Sequence, residues 1–156
     1  MQRKKPAPKE FNARKHQKSI DGLSEIMKEQ DFEKACEPIA EDILLNYEGF
    51  DTIEPGPKLK GRPFDFFGFK NGKPYMIEMK GSLKSFNVPS EVQKRRLQEI
   101  MEQLPDINVA LLQIKLRKEQ YRIFYNKEMD ILFQGRQVPI QPIIDWLCDR
   151  IAAQKI

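Results

Sequence analysis

Pro63-Phe64-Asp65-Phe66-Phe67-Gly68-Phe69, then Lys70-Asn71-Gly72-Lys73, then Pro74-Tyr75-Met76-Ile77-Glu78-Met79-Lys80 is the stretch that decides the fold. Two β-prone runs flank Asn71-Gly72, the strongest short-range signal for a tight antiparallel hairpin. A two-residue loop fixes the register, so Lys70 faces Lys73 and Asp65 falls directly opposite Glu78. Alternation then places Asp65, Phe67, Phe69, Met76, Glu78 and Lys80 on one face, and Phe64, Phe66, Tyr75, Ile77 and Met79 on the other. A hairpin apolar on both faces belongs inside a sheet covered on both sides.

Directly opposed side chains have Cβ atoms about 4.5–5.5 Å apart, and like charges so placed repel. Two carboxylates among aromatic and aliphatic neighbours therefore demand a proton or a cation. Lys80 projects from the same face and reaches the same spot, but one lysine does not neutralise two paired carboxylates plus a third acid. Carboxylates at the ends of adjacent strands suit Mg²⁺, which prefers a few carboxylate oxygens together with water and substrate phosphate. Lys80 is placed to orient water and to offset developing charge. A buried salt-bridge network is the bland alternative.

Outward from the hairpin, residues 31–47 keep a helical stripe through Phe32, Ala35, Cys36, Ile39, Ala40, Ile43, Leu44 and Tyr47, with Asp31 as N-cap. Pro38 inside it predicts a kink or a restart at Glu37. A short helix over 19–30, a strand over 50–54 and a basic loop over 57–62 precede the hairpin. A helix over 90–104 follows it, its inward face formed by Leu97, Ile100, Met101 and Leu104. Gln93 falls on that face, aimed at the site or bonded to backbone. Ile107–Leu116 reads as a strand buried on both faces. Further strands over 121–125 and 131–133 and a helix from Ile140 to about Ala153 complete the chain, with Trp146 in the core.

The opposed acids, the Asp65, twelve intervening residues, Glu78-Met79-Lys80 spacing and the order helix, strand, strand, strand, helix, strand over about residues 31–116 resemble the PD-(D/E)xK, or restriction-endonuclease-like, nuclease superfamily. Here Phe64 separates Pro63 from Asp65. Cys36-Glu37-Pro38-Ile39-Ala40 is similar to the first-helix motif of its small Holliday-junction-resolvase-like branch. The resemblance implies an α/β, three-layer α-β-β-β-α-β core with a mixed central sheet, extended by extra C-terminal strands and a helix. It also implies catalytic roles for Glu37, Asp65, Glu78, Lys80 and Gln93, with Glu41 as rival to Glu37. Its metal ligands would be Asp65, Glu78, Glu37 and the carbonyl of Met79. The implied activity is Mg²⁺-dependent (or Mn²⁺-dependent) hydrolysis of nucleic acid, DNA ahead of RNA, and a homodimer is compatible with it. The competing expectation is a catalytically silent module binding nucleic acid or protein on the same fold.

Composition narrows the chemistry from the other direction. The single histidine, His16, removes Ser-His-Asp, Cys-His and His-rich metal sites, and Cys36 and Cys148 are too isolated for a thiolate zinc site. The chain holds 27 Lys/Arg against 23 Asp/Glu, a net +4, but the charge is segregated. Residues 1–20 and 58–96 are strongly basic and residues 21–54 strongly acidic, which fits a polyanionic partner or merely solvated faces. Lys58, Lys60, Arg62, Lys84, Lys94, Arg95 and Arg96 are the candidate phosphate contacts. Residues 1–18 read as a basic disordered arm, serving a phosphate backbone or solubility, ahead of one domain over 19–156. No apolar run approaches the roughly 20 residues of a membrane-spanning helix, and the start lacks a signal-peptide core, so a cytoplasmic protein with reduced thiols is expected.

Overall fold

A computed structural model of the chain describes residues 7–24, 27–57, 64–86, 95, 99–104, 106–125 and 141–154. The elements are β1 (Lys9–Glu10), α1 (Gln17–Asp21), α2 (Glu29–Asp42), β2 (Thr52–Pro55), β3 (Phe66–Lys70), β4 (Lys73–Ser82), β5 (Asn108–Lys115), β6 (Gln120–Tyr125) and α3 (Gln141–Gln154). The strands form one six-stranded mixed sheet in the order β1-β6-β5-β4-β3-β2. Only the central β4–β5 pair is parallel. No described helix is long and apolar enough to cross a membrane.

The hairpin forms as its turn dictates. Asn71 and Gly72 both take positive φ (54° and 77°), the signature of a tight turn matched to strand twist, and Lys70 pairs with Lys73. Both faces of the sheet are covered. On one, Cys36, Ile39, Ala40, Ile43 and Leu44 pack on Phe66, Ile77, Met79, Ala110 and Leu112. On the other, Ile100 and the α3 residues Ile143, Ile144 and Leu147 pack on Phe67, Phe69, Met76 and Val109. Each core combines a helical stripe with alternate strand positions, which is why β5 is buried along nearly its whole length.

Several expectations are corrected. The helix expected over 31–47 runs from Glu29 to Asp42 straight through Pro38, and Lys28 rather than Asp31 stands at its N-cap. A π-type turn, Ile43–Tyr47, follows, closed by the Glu48 N–H donating to the Ile43 carbonyl (2.9 Å). The 19–30 helix is instead Gln17–Asp21, and the 50–54 strand is Thr52–Pro55. Phe64 joins Phe67 and Trp146 rather than Phe66, because strict alternation ends at Asp65. The expected disordered arm is folded from Lys9 onward: β1 pairs with β6, and Phe11 and Ala13 are buried. Asp42 then ties it down, accepting from Lys15 (2.8 Å) and meeting His16 (3.0 Å). The 131–133 strand lies outside the described residues, as does most of the 90–104 helix, of which residues 95 and 99–103 are helical.

Candidate active site

The site sits where β3 peels away from β4. β3 pairs with β4 only as far as Ile77, whereas β5 pairs with β4 out to Ser82. Beyond Ile77, one edge of β4 is therefore open to whatever precedes β3. Asp65 fills that fork. Its N–H still donates to the Ile77 carbonyl (3.0 Å), and its own carbonyl accepts from Gly56 N–H (2.8 Å). Its carboxylate takes over from the backbone ladder by accepting the Met79 N–H at 2.8 Å. A β-carbon on Gly56 would lie 2.1 Å from the Phe64 carbonyl oxygen, so only glycine permits the approach that holds Asp65.

Asp65 and Glu78 do not form the expected ladder pair, because pairing ends at Phe66–Ile77, but their carboxyls are neighbours. The residues are 8% and 2% exposed, respectively. Burial and the adjacent Asp65 carboxylate push the Glu78 pKa well above the carboxylate range; Lys80 opposes this, while hydrogen bonding to Asp65 and the charge of Glu33 add to it. The pair thus binds a proton more tightly than an isolated carboxylate does. Lys80, 9% exposed, lies two residues along the same face and donates to Glu33 Oε1 at 3.2 Å.

Glu33 is the residue that sequence reasoning missed. It is on the first turns of α2, one turn ahead of Glu37 and two ahead of Glu41. A β-carbon on Gly81 would stand 2.8 Å from Cys36 Sγ and 3.7 Å from the Phe32 ring, so α2 lies directly on the end of β4. That contact carries Glu33 to the open edge where Lys80 reaches it. The four-residue spacing of Glu33 and Glu37 puts both on one helix edge, and this was the only local signal. Burial lifts the thiol of Cys36 to about 12, which leaves it a packing residue.

Backbone polar groups of alternate residues point to the same strand edge. Ile77 C=O and Met79 N–H are both used on the open edge of β4, so the Met79 carbonyl is directed there too. Among the described residues, no three His, Cys, Asp or Glu side chains are grouped to enclose a metal ion. Among the expected phosphate contacts, Lys84 is exposed and Arg95, expected to face outward, is half-buried. Lys58, Lys60, Arg62, Gln93, Lys94 and Arg96 lie outside the described residues. No protein-family model matches the chain, and no curated protein matches it.

Proposed function

We propose that the protein is a metal-dependent nuclease, hydrolysing phosphodiester bonds of nucleic acid at the Asp65–Glu78–Lys80 fork, with DNA preferred over RNA. The observation that carries this reading is the buried pair of neighbouring carboxyls, one with its proton affinity raised well above the ordinary range, beside a buried lysine. A structural site would neutralise such crowding, because like charges at this spacing destabilise the sheet. Perturbed carboxyls beside an opposite charge are characteristic of functional sites.

The donor set fits Mg²⁺ or Mn²⁺. Two carboxylates and a backbone carbonyl, from Asp65, Glu78 and Met79, are the small number of hard oxygen ligands that Mg²⁺ accepts while keeping water and a phosphate oxygen. A bound divalent ion would polarise the phosphate and make its water more acidic. The chain's own part is to hold Asp65 rigid through the Met79 N–H, and to release the proton of the Glu78 carboxyl when a cation arrives. Lys80, fixed by Glu33, presents an ammonium to the anionic phosphate and to the water that attacks it. Glu33 thereby has a positioning role, and the helix acid's ligand role that the resemblance implies falls to Glu37, with Glu41 as its rival.

The test is cleavage of labelled single-stranded, duplex, flapped and four-way-junction DNA and of RNA, with Mg²⁺, Mn²⁺ or EDTA, comparing wild type with Asp65→Ala and Lys80→Ala. Metal-dependent cutting that both substitutions remove is the expected result. Absence of cutting on every substrate, with nucleic-acid binding retained, would assign the fold to a silent binding module.

A further inference from the structure

Lys80 on β4, Gln113 on β5 and Arg122 on β6 form one row across the sheet, each in register with the next. Residues paired in this way project from the same face. Gln113 is wholly buried, and its Oε1 accepts from Arg122 Nε at 2.5 Å. The Arg122 guanidinium lies 4.5 Å from the centroid of the Phe86 ring and 5.3 Å from that of Phe124. Lys115 Nζ stands over the same Phe86 ring at 4.2 Å. Two cations thus share one aromatic ring, which the loop after β4 lays across them.

Arg122 and Lys115 make no ion pair with any described residue. An arginine held by a neutral glutamine and two rings keeps its charge and its terminal N–H groups for an outside anion, in a preset orientation. Strands are spaced about 4.8 Å apart, so Arg122 stands roughly 10 Å of backbone from Lys80, too far for both to hold one phosphate through short contacts but within reach of different phosphates along one strand. The surroundings are basic: Lys84, Arg117 and Lys118 are exposed, and the Arg117 N–H is tied to the Leu83 carbonyl (3.0 Å) beside Lys84. Between residues 115 and 122, Glu119 is the one acid. On the other side of the fork, α2 is acidic, so among the described residues the attraction for a polyanion lies on the β5–β6 side.

We propose that Arg122 and Lys115, positioned by Gln113 and Phe86, form a phosphate-binding site that holds the nucleic-acid backbone next to the scissile linkage. The proposal rests on the nuclease reading of the fork for its choice of nucleic acid. Cleavage and binding are measured separately, so the two ideas fail separately. The probes are a fluorescein-labelled 30-nucleotide single strand and the corresponding duplex, followed by anisotropy with the full chain in EDTA at several salt concentrations.

Joint substitution Lys115→Ala and Arg122→Ala is expected to weaken binding about 10- to 100-fold and to lower the slope of log affinity against log salt by about two. Lys115→Ala alone leaves the Gln113 bond intact and is expected to lose about fivefold with an unchanged melting temperature, which guards against misfolding. Lys28→Ala with Lys34→Ala, on the acidic side, is expected to change binding by less than threefold. Equal binding by the Lys115/Arg122 variant, no binding by wild type, or equal competition by poly-glutamate would each overturn the site. Loss of binding in that variant while Asp65→Ala still cuts would retain this site and overturn the nuclease reading.

Discussion

Glu48, at the end of the Ile43–Tyr47 turn, and Glu78, on β4, are both buried glutamates, and they are treated in opposite ways. Glu48 is 7% exposed and receives three donors: Tyr121 Oη at 2.5 Å, Tyr125 Oη at 2.7 Å and Lys9 Nζ at 3.0 Å. Burial alone would raise its pKa, but these bonds outweigh burial and lower it, while burial and the same contacts raise both tyrosines. Lys70, whose ammonium donates to Tyr125 Oη and lies over the Tyr125 and Phe50 rings, adds a nearby positive charge. Glu78 has instead another carboxyl as its neighbour, and its pKa is raised. The first arrangement is what a fold does with a buried charge it needs for stability; the second costs stability, and under the proposed function that cost maintains a cation site.

The largest effect separates the two by activity. Under the proposed function, Asp65→Ala or Glu78→Ala is expected to reduce metal-dependent cleavage about a thousandfold or more, with circular dichroism unchanged. Glu48→Gln should leave the surviving folded enzyme's cleavage within severalfold of wild type. Equal losses at both glutamates would erase the distinction between them.

Next comes stability. Glu48→Ala removes the acceptor of two buried tyrosine hydroxyls and the partner of Lys9 on β1, so a loss of about 3 kcal/mol and roughly 10 °C in melting temperature is expected. The pH sign follows from the lowered pKa: the contribution is full above the ordinary glutamate value of 4.5 and disappears as pH falls through the folded value. Acid unfolding of wild type should therefore be steeper than that of Glu48→Gln in that range.

A smaller effect tests what brings Glu33 to Lys80. Gly81→Ala forces a methyl group into Cys36 Sγ, at 2.8 Å, and is expected to cost about 1–3 kcal/mol by pushing α2 off β4. Cys36→Ala, added to it, should restore part of that loss, a coupling visible in a double-mutant thermal cycle. Additive losses would mean that α2 is not seated by this contact.

These elements also mark what the sequence could disclose. Asn71-Gly72 determines the hairpin register as far as Phe66–Ile77, which brings Asp65 beside Glu78, while the last step that seats Asp65 is its bonds to Gly56 and Met79. Phe64 was misplaced because pairing stops at Asp65, and no local residue announces that β3 ends there. Glu33 was missed because the depth at which α2 meets β4 is set by a cysteine packing on a glycine 45 positions away. Glu48 left no pattern, since its three donors come from 39 residues upstream and from 73 and 77 residues downstream. Periodicity finds faces, but it does not say which distant side chains will meet.

The subtlest expected effect is the most discriminating, because it reads the proton at Glu78 without requiring catalysis. A carboxyl whose folded pKa is raised binds its proton more tightly in the native state than in the unfolded one. Its contribution is then full below the unfolded value, near 4.5, and is lost as pH rises toward the folded value, with a slope of up to about 1.4 kcal/mol per pH unit. This is opposite in sign to Glu48. Glu78→Gln keeps the shape and removes the charge, so it should flatten that part of the pH–stability curve and melt above wild type at neutral pH. Mg²⁺ should raise the wild-type melting temperature increasingly as pH rises, since the ion replaces the proton, and should leave Glu78→Gln almost unmoved. A wild-type curve that rises through this window, parallel to that of Glu78→Gln, would mean that the two buried glutamates are both structural and that the fork holds no latent cation site.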